Sequence, residues 1–339
     1  MNLKLLKKLV WCSLLVLPIL MLLVGFYNQD KFLMRNSNRI TALKPACEAN
    51  YSTKKWNAHN SNFTRKTKLF LSLTDFFWKN FNSTMALPYG LKGTEQLMMK
   101  ILAHIPYSEP PQHIQSLNCR TCAVIGNGYT LKNSSLGSII NKHDIVIRLN
   151  DAPVRGYEDD VGNKTTMRLF YPESASTNPE EHNTPDTLMV LVPFKFNDLR
   201  WIKEIILDEK RNLKGFWRNP PQIWQGDLNQ IRILHPYFLY ETATKLLNIP
   251  TNFPPKSKQK PVHPTTGILA IQMALHYCDV VNVAGFGYPK TTDLDHPVHY
   301  YGSNKMKSMK DSSHDLSAES RALKTLMEAG AIQLLRQPS

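Results

Sequence analysis

The apolar positions along the chain change character twice. From Leu9 to Tyr27 almost every residue is apolar, with only Ser13, Pro18 and Gly25 interrupting the run. At about 1.5 Å per helical residue, such a run crosses the roughly 30 Å hydrocarbon core of a bilayer. Residues 28–85 are rich in Asn, Ser, Thr and Lys with weak periodicity, the composition of a spacer whose ordered part is expected to start near Cys47. From residue 86 to residue 339, short β-rich runs alternate with stretches of helical spacing. Ala123–Ile125, Ile145–Leu149, Thr187–Val192 and Ile231–Leu234 read as strands. Leu199–Leu213 spaces its apolar residues as a helix does, with charge opposite. Thr266–Tyr277 is an apolar helix, followed by a strand at Val280–Ala284 and a turn at Gly285-Phe286-Gly287. A last helix near Ser317–Ala329 places Ala322, Leu323, Leu326 and Met327 on one face, and Gly330 follows as its stop. Strands alternating with helices predict an α/β fold with a mostly parallel central sheet flanked by helices, undivided by any internal boundary.

The flanks of the first apolar run set its orientation. Lys4, Lys7 and Lys8 precede it, which places residues 1–8 in the cytosol, although Lys31, Arg35 and Arg39 beyond it soften the bias. The run exceeds the roughly 7–15 residues of a signal-peptide core and ends without a small-x-small cleavage site. Residues 9–27 therefore read as a single transmembrane signal anchor, with everything after them in the secretory lumen. Sequons at Asn50, Asn62, Asn82, Asn133 and Asn163 agree with a luminal body, the cluster before Leu87 most of all. Cys12 lies inside the apolar run, leaving Cys47, Cys119, Cys122 and Cys278, an even set that suggests two disulfides among three possible pairings. Cys119-Arg-Thr-Cys122 has the form of a redox motif, but no second such pair completes a zinc site, and a structural role is the better reading.

Composition narrows the function classes. The 339 residues are 42% hydrophobic and 20% charged, as in globular proteins, with a net charge of +14. A basic balance suits anionic partners. The Lys and Arg residues are scattered, which disfavours nucleic acid and leaves an acidic membrane or a negatively charged small substrate, while most of these residues simply keep the surface soluble.

Candidate chemistry concentrates between Cys122 and Arg168. This stretch reads as a buried strand, a Gly126-Asn127-Gly128 turn, a short helix, a second strand and a polar loop. Glycines in such a turn let backbone N–H groups approach an oxyanion at a helix N-terminus. Leu131 stands where a dinucleotide fingerprint carries its third glycine, so a nicotinamide site, and with it a dehydrogenase, is disfavoured. Asn150, Asp151 and Pro153 end the second strand. Strand C-termini line the ligand crevice of a parallel sheet, so Asn127 and Asn150 converge on one ligand, a phosphate monoester or a ribose. His263-Pro-Thr-Thr-Gly267 opens the apolar helix and offers a second N-terminus, although taken alone an ordinary cap by Thr265 is the better reading. His296, His299 and His314 follow, without the His-x-x-x-His spacing that zinc favours. A histidine titrating near neutrality suits general-base catalysis on a sugar hydroxyl. Asp293-Leu-Asp295 has the form of the metal-holding pair of nucleotide-sugar transferases, but lies in a polar loop where a solvated turn is the simpler reading.

Four segments together resemble the eukaryotic sialyltransferases, glycosyltransferase family 29, and within them the β-galactoside α-2,3 group. They are Cys122–Arg168 with GNG, NDAP and VGNKTTMRLFYPES; His263–Gly287, from HPTTGILA to CDVVNVAGFG; His299-Tyr300-Tyr301-Gly302; and His314 followed by Glu319. The likeness runs from about Leu87 to Ile332, and looser runs such as GFWRNPPQIW, GFGYPK and LMEAGAI resemble the type IV branch of that group. The resemblance implies a variant GT-A, Rossmann-like fold in a type II protein of the Golgi membrane. It implies inverting, metal-independent transfer from CMP-N-acetylneuraminate to the 3-hydroxyl of galactose, in Galβ1-4GlcNAc and as a further candidate in Galβ1-3GalNAc, with no cofactor. By resemblance, Asn127 and Asn150 contact the nucleotide and its phosphate. His263, Thr266, Gly267 and Gly287 belong to the substrate site, His299 contacts the phosphate, and His314 is the catalytic base. The disulfides implied are Cys122–Cys278 and Cys47–Cys119. Two positions depart from the pattern: Gly302 stands where relatives often carry an acid, and Asp151 where many carry Asn. Two rival readings are a metal-dependent transferase using Asp293 and Asp295, and a membrane-anchored glycan receptor without catalysis.

Overall fold

Seven strands form a single sheet in the order β5-β4-β3-β2-β1-β6-β7, every adjacent pair parallel. They are β1 Thr121–Ile125, β2 Ile145–Leu149, β3 Met167–Phe170, β4 Leu188–Leu191, β5 Ile231–Ile233, β6 Val280–Ala284 and β7 Gln333–Leu334. The computed structural model describes residues 47–59, 63–77, 84–105, 107–251, 262–287, 293–309 and 314–337. The apolar run 9–27, the residues 1–8 before it, residues 28–46 and the sequons at Asn62 and Asn82 lie outside the described residues. Among the described residues no helix is long and apolar enough to cross a membrane.

Strands β1 to β6 are buried along their whole length, so they read as continuous apolar runs rather than alternating ones. Their side chains nevertheless divide by parity. Cys122, Val124, Ile145, Ile147, Met167, Leu169, Leu188 and Val190 face one core, and Ala123, Ile125, Val146, Phe170, Met189 and Leu191 face the other side. Among the described residues the helices of eight residues or more are α1 Tyr51–His59, α2 Glu95–Leu102, α3 Phe196–Ile206, α4 Thr266–Tyr277 and α5 Leu316–Glu328. Helix α4 is apolar nearly all round and packs on the first face, over β1, β2, β3 and β6. Helices α2 and α3 pack together on the opposite face, beside β3, β4 and β5.

Several expectations shift in detail. Strand β3 was expected to be loop, because buried Arg168 interrupts its apolar run. The exposed two-residue β7 carries no pattern to read. Helix α3 runs Phe196–Ile206 rather than Leu199–Leu213, since the chain turns at Asp208 with a positive φ of 49°. Helix α5 buries Ala318, Glu319, Ala322 and Leu326, while Met327 is exposed rather than on the core face. Its stop at Gly330 has φ 71°, as a glycine C-cap requires. Residues placed by composition in the spacer also join the fold: Trp56 of α1 and Phe70 are buried in the main core, and Phe70 bridges to Leu234.

Two disulfides tie these parts together. Cys47 is joined to Cys119, and Cys122 of β1 to Cys278 at the end of α4. The side chains of Asn50, Asn133 and Asn163 are all exposed, as glycan attachment needs.

Strand order places the ligand crevice. The chain lays β1 to β5 outward in one direction, then returns to set β6 on the other side of β1. The carboxyl ends of β1 and β6 flank this reversal, where open parallel sheets bind ligands.

Candidate active site

At the reversal the two turns interlock. The N–H of Gly126 donates to Ala284 O at 2.8 Å, and that of Gly128 to Gly285 O at 2.9 Å. A Cβ on Gly126 would lie 2.3 Å from Gly285 O, and one on Gly128 2.7 Å from the same oxygen. The glycines therefore permit close approach of two backbones, and their N–H groups are engaged by β6 rather than by an oxyanion. Gly128 has φ −61°, and the single 3₁₀ turn Tyr129–Leu131 follows it instead of a helix N-terminus. This corrects the phosphate-cradle expectation: the turn builds the wall, and its ligand-facing group is Asn127. Gly126→Ala should lower the melting temperature and abolish CMP binding, because overpacking typically costs about 1–3 kcal/mol and here the obstacle is backbone. Wild-type melting and CMP binding in that variant would show that the close approach is dispensable.

Asn127 is fixed from both ends. Its carbonyl accepts the Tyr300 N–H at 3.0 Å, and its Nδ2 donates to the Tyr301 hydroxyl at 3.3 Å. Its Oδ1 is buried and has no hydrogen-bond partner among the described residues, an unsatisfied acceptor beside the cavity that Asn127 lines. Asn150, at the end of β2, adopts φ 55°, a left-handed conformation that Asn tolerates better than most residues. Arg168 on β3 holds it there, donating Nη1 to Asn150 O at 2.6 Å and to Ala152 O at 3.2 Å. Burial, with Arg148 nearby, lowers the Arg168 guanidinium to about 9. The Asn150 Oδ1 accepts the Thr266 hydroxyl at 3.4 Å, linking β2 to the start of α4.

Helix α4 is capped by Thr265, whose Oγ1 accepts the Ile268 N–H at 3.2 Å. Thr265 is clamped in turn by Glu319 of α5, which accepts its N–H at 2.8 Å and its hydroxyl at 2.7 Å. Burial raises the Glu319 carboxyl to about 7, against the lowering effect of both Thr265 bonds. Glu319 was legible only as part of a motif; its task is to join α5 to the cap of α4. His314 lies just before α5, and its Nδ1 sits 2.8 Å from the His263 carbonyl. A carbonyl only accepts, so Nδ1 carries the hydrogen and the neutral ring presents Nε2 as its basic atom. Burial holds His314 below the usual histidine value, opposed by that hydrogen bond. His263 packs edge-on against His314, with ring centroids 4.7 Å apart, and lies tilted by 32° against Phe194 at 4.6 Å. Burial, then the His314 charge, lowers His263 to about 4.

His299 comes from the third segment. Its backbone bridges antiparallel to Gly128, and its ring stacks on Tyr301 with centroids 5.2 Å apart and planes at 13°. Burial lowers its pKa and Asp151 opposes the shift, so the ring is neutral at pH 7 with one N–H to donate.

All eight substrate and catalytic candidates line one cavity of about 820 Å³: Asn127, Asn150, His263, Thr266, Gly267, Gly287, His299 and His314. The same cavity is lined by Glu319, Tyr171, Phe194, Lys195 and Trp217. The last four come from loops after β3, β4 and α3, and no motif spacing marks them. Lys195 is not a free cation, since buried Glu173 and Asp198 hold it at 2.7 and 2.9 Å. Asp151, one of the two departures, pairs with Arg218 at 2.6 Å. The other, Gly302, has φ 68°, where a glycine is favoured over an acid. Asp293 and Asp295 are exposed and do not line the cavity, and Asp295 pairs with Lys305 at 3.0 Å.

Residues 57–331 match the model of glycosyltransferase family 29 (sialyltransferase). The chain is 48% identical over 328 residues to the human CMP-N-acetylneuraminate-beta-galactosamide-alpha-2,3-sialyltransferase 4, covering 96% of this chain and 97% of that protein. It is 44% identical over 252 residues to the rat type 2 lactosamine alpha-2,3-sialyltransferase, covering 74% and 75% of the two chains. A crystal structure of a mammalian sialyltransferase superposes with a TM-score of 0.64 at 25% identity, over 87% of this chain and 99% of that one. A family match across most of the folded part, ending in the segment that carries His314 and Glu319, places this chain in glycosyltransferase family 29, the sialyltransferases.

Proposed function

We propose that the enzyme transfers sialic acid from CMP-N-acetylneuraminate to the 3-hydroxyl of a terminal galactose, with inversion at the anomeric carbon. Galβ1-4GlcNAc is the main acceptor and Galβ1-3GalNAc a further one, on glycoproteins or glycolipids. The observation that carries this reading is His314, tautomer set by the His263 carbonyl, opening into the same cavity as Asn127, Asn150 and His299.

His314 Nε2 takes the proton from the galactose O3 as that oxygen bonds to the sialyl anomeric carbon. The bond from that carbon to the phosphate oxygen breaks, and its electron pair leaves with CMP. His299 and the amide of Asn150 stabilise the charge growing on the phosphate, while Asn127 lines the site on the nucleotide side. Thr266, Gly267 and Gly287 line the nucleoside side of the site.

CMP-sialic acid has one phosphodiester and no diphosphate, so its leaving group needs less charge neutralisation than a nucleoside diphosphate. The exposed, Lys305-paired Asp295 supports a metal-independent reading. The parallel sheet covered on both faces supports a variant GT-A fold. Exposed Asn50, Asn133 and Asn163 and the two disulfides support a Golgi membrane protein anchored through residues 9–27, with its catalytic part luminal. The full-length enzyme in detergent should sialylate Galβ1-4GlcNAc equally well in EDTA. Activity lost on chelation and restored by a divalent cation would favour a metal-dependent transferase, and acceptor binding without turnover a receptor.

A further inference from the structure

One aromatic side chain on the cavity wall has no part in the transfer chemistry. Trp217 lines the cavity yet is 73% exposed, a large indole left in water. Its neighbours, in contrast, are anchored. Gly215 O accepts from Asn197 Nδ2 at 3.2 Å. Phe216 packs against the core under α3, with the Lys195 and Arg200 charges 5.3 and 5.8 Å from its ring centre. Arg218 pairs with Asp151, the residue next to Asn150. A loop tied down at 215, 216 and 218 presents residue 217 to the cavity as a fixed element.

Leaving an indole in water forgoes the transfer free energy that burial would supply. A ligand with an apolar face recovers it, and an aromatic ring with an N–H suits a surface that is half apolar and half wet. Pyranose rings have such a face, made of their C–H groups. Depth decides which ring it is. The galactose must reach half-buried His314 inside the cavity, so a residue at the exposed mouth meets the next sugar of the acceptor.

We propose that Trp217 is a specificity-determining residue that stacks on the N-acetylhexosamine ring adjoining the reactive galactose, an inference that rests on the transfer reading above. The test compares Galβ1-4GlcNAc with methyl β-galactoside, which lacks the second ring, using full-length wild type, Trp217→Ala and Trp217→Phe. Trp217→Ala should lower kcat/KM for the disaccharide about tenfold, the size of one lost ring contact. The loss with methyl β-galactoside should be much smaller, the KM for CMP-sialic acid should hold, and Trp217→Phe should recover most of the disaccharide rate. Equal losses on both acceptors, or none on either, would overturn the proposal while leaving the transfer reading intact. A wild-type enzyme that sialylates neither acceptor would overturn both.

Discussion

His314→Ala lowers turnover with Galβ1-4GlcNAc by about 10²–10⁴-fold, the usual contribution of a positioned general base, and leaves CMP affinity close to wild type. The loss falls on kcat because His314 meets the acceptor hydroxyl as it attacks, not the nucleotide. Its tautomer is already set by the His263 carbonyl, so alanine removes a base that needs no reorganisation. The pH dependence follows from burial. Burial holds His314 below the ordinary histidine value of about 6.5, so the neutral, active ring persists below that pH and is lost as pH falls through its lowered pKa. The acid limb of kcat/KM for wild type should have its midpoint below 6.5 and be absent in the variant. Two other groups of the same cavity titrate elsewhere: His263 near 4 and Glu319 near 7. A limb near 7 that survives His314→Ala and vanishes in Glu319→Gln would reassign the titration to the clamp on Thr265. Wild-type turnover in His314→Ala would remove it as the base.

Loss of His299 should cost about 10²–10³-fold in kcat, as for an oxyanion donor, and little in acceptor KM. The ring is held by its stacking on Tyr301 and by the bridge from its backbone to Gly128, so it needs no rearrangement to meet the leaving phosphate. Being neutral at pH 7, it acts as a hydrogen-bond donor rather than as a fixed positive charge. His299→Gln, which keeps an N–H of similar reach, should recover part of the loss. His299→Ala should not. If glutamine and alanine behave alike, the ring supports Tyr301 and Asn127 instead of the phosphate. On the proposed mechanism the two histidines act on opposite sides of the reacting carbon, one on the nucleophile and one on the leaving group.

Much of this site is legible from the chain because its residues sit at ends of elements with strong local signals. Asn127 and Asn150 close apolar strands, Thr265 caps an apolar helix, and His314 precedes an amphipathic one. What fails to show is set by tertiary partners. The Gly126-Asn127-Gly128 turn looks like a phosphate cradle until Gly285, distant in sequence, is seen against it in the same crevice. Strand β3 hides behind Arg168, a charge tolerated in the core only because two carbonyls at the end of β2 receive it. Tyr171, Lys195 and Trp217 reach the cavity from loops with no periodicity, and nothing in their spacing announces that they share a wall. The membrane run and the sequons, by contrast, are read from composition alone and concern the compartment rather than the fold.

The most direct test of the account is the structure of the product. Full-length enzyme, CMP-N-acetylneuraminate and Galβ1-4GlcNAc are incubated in EDTA, and the trisaccharide is examined by NMR and linkage analysis. The account predicts an α-linked sialic acid on O3 of galactose, inverted relative to the donor, with CMP released in equal amount. A β-linked product, substitution at another galactose hydroxyl, or CMP release without transfer would contradict it.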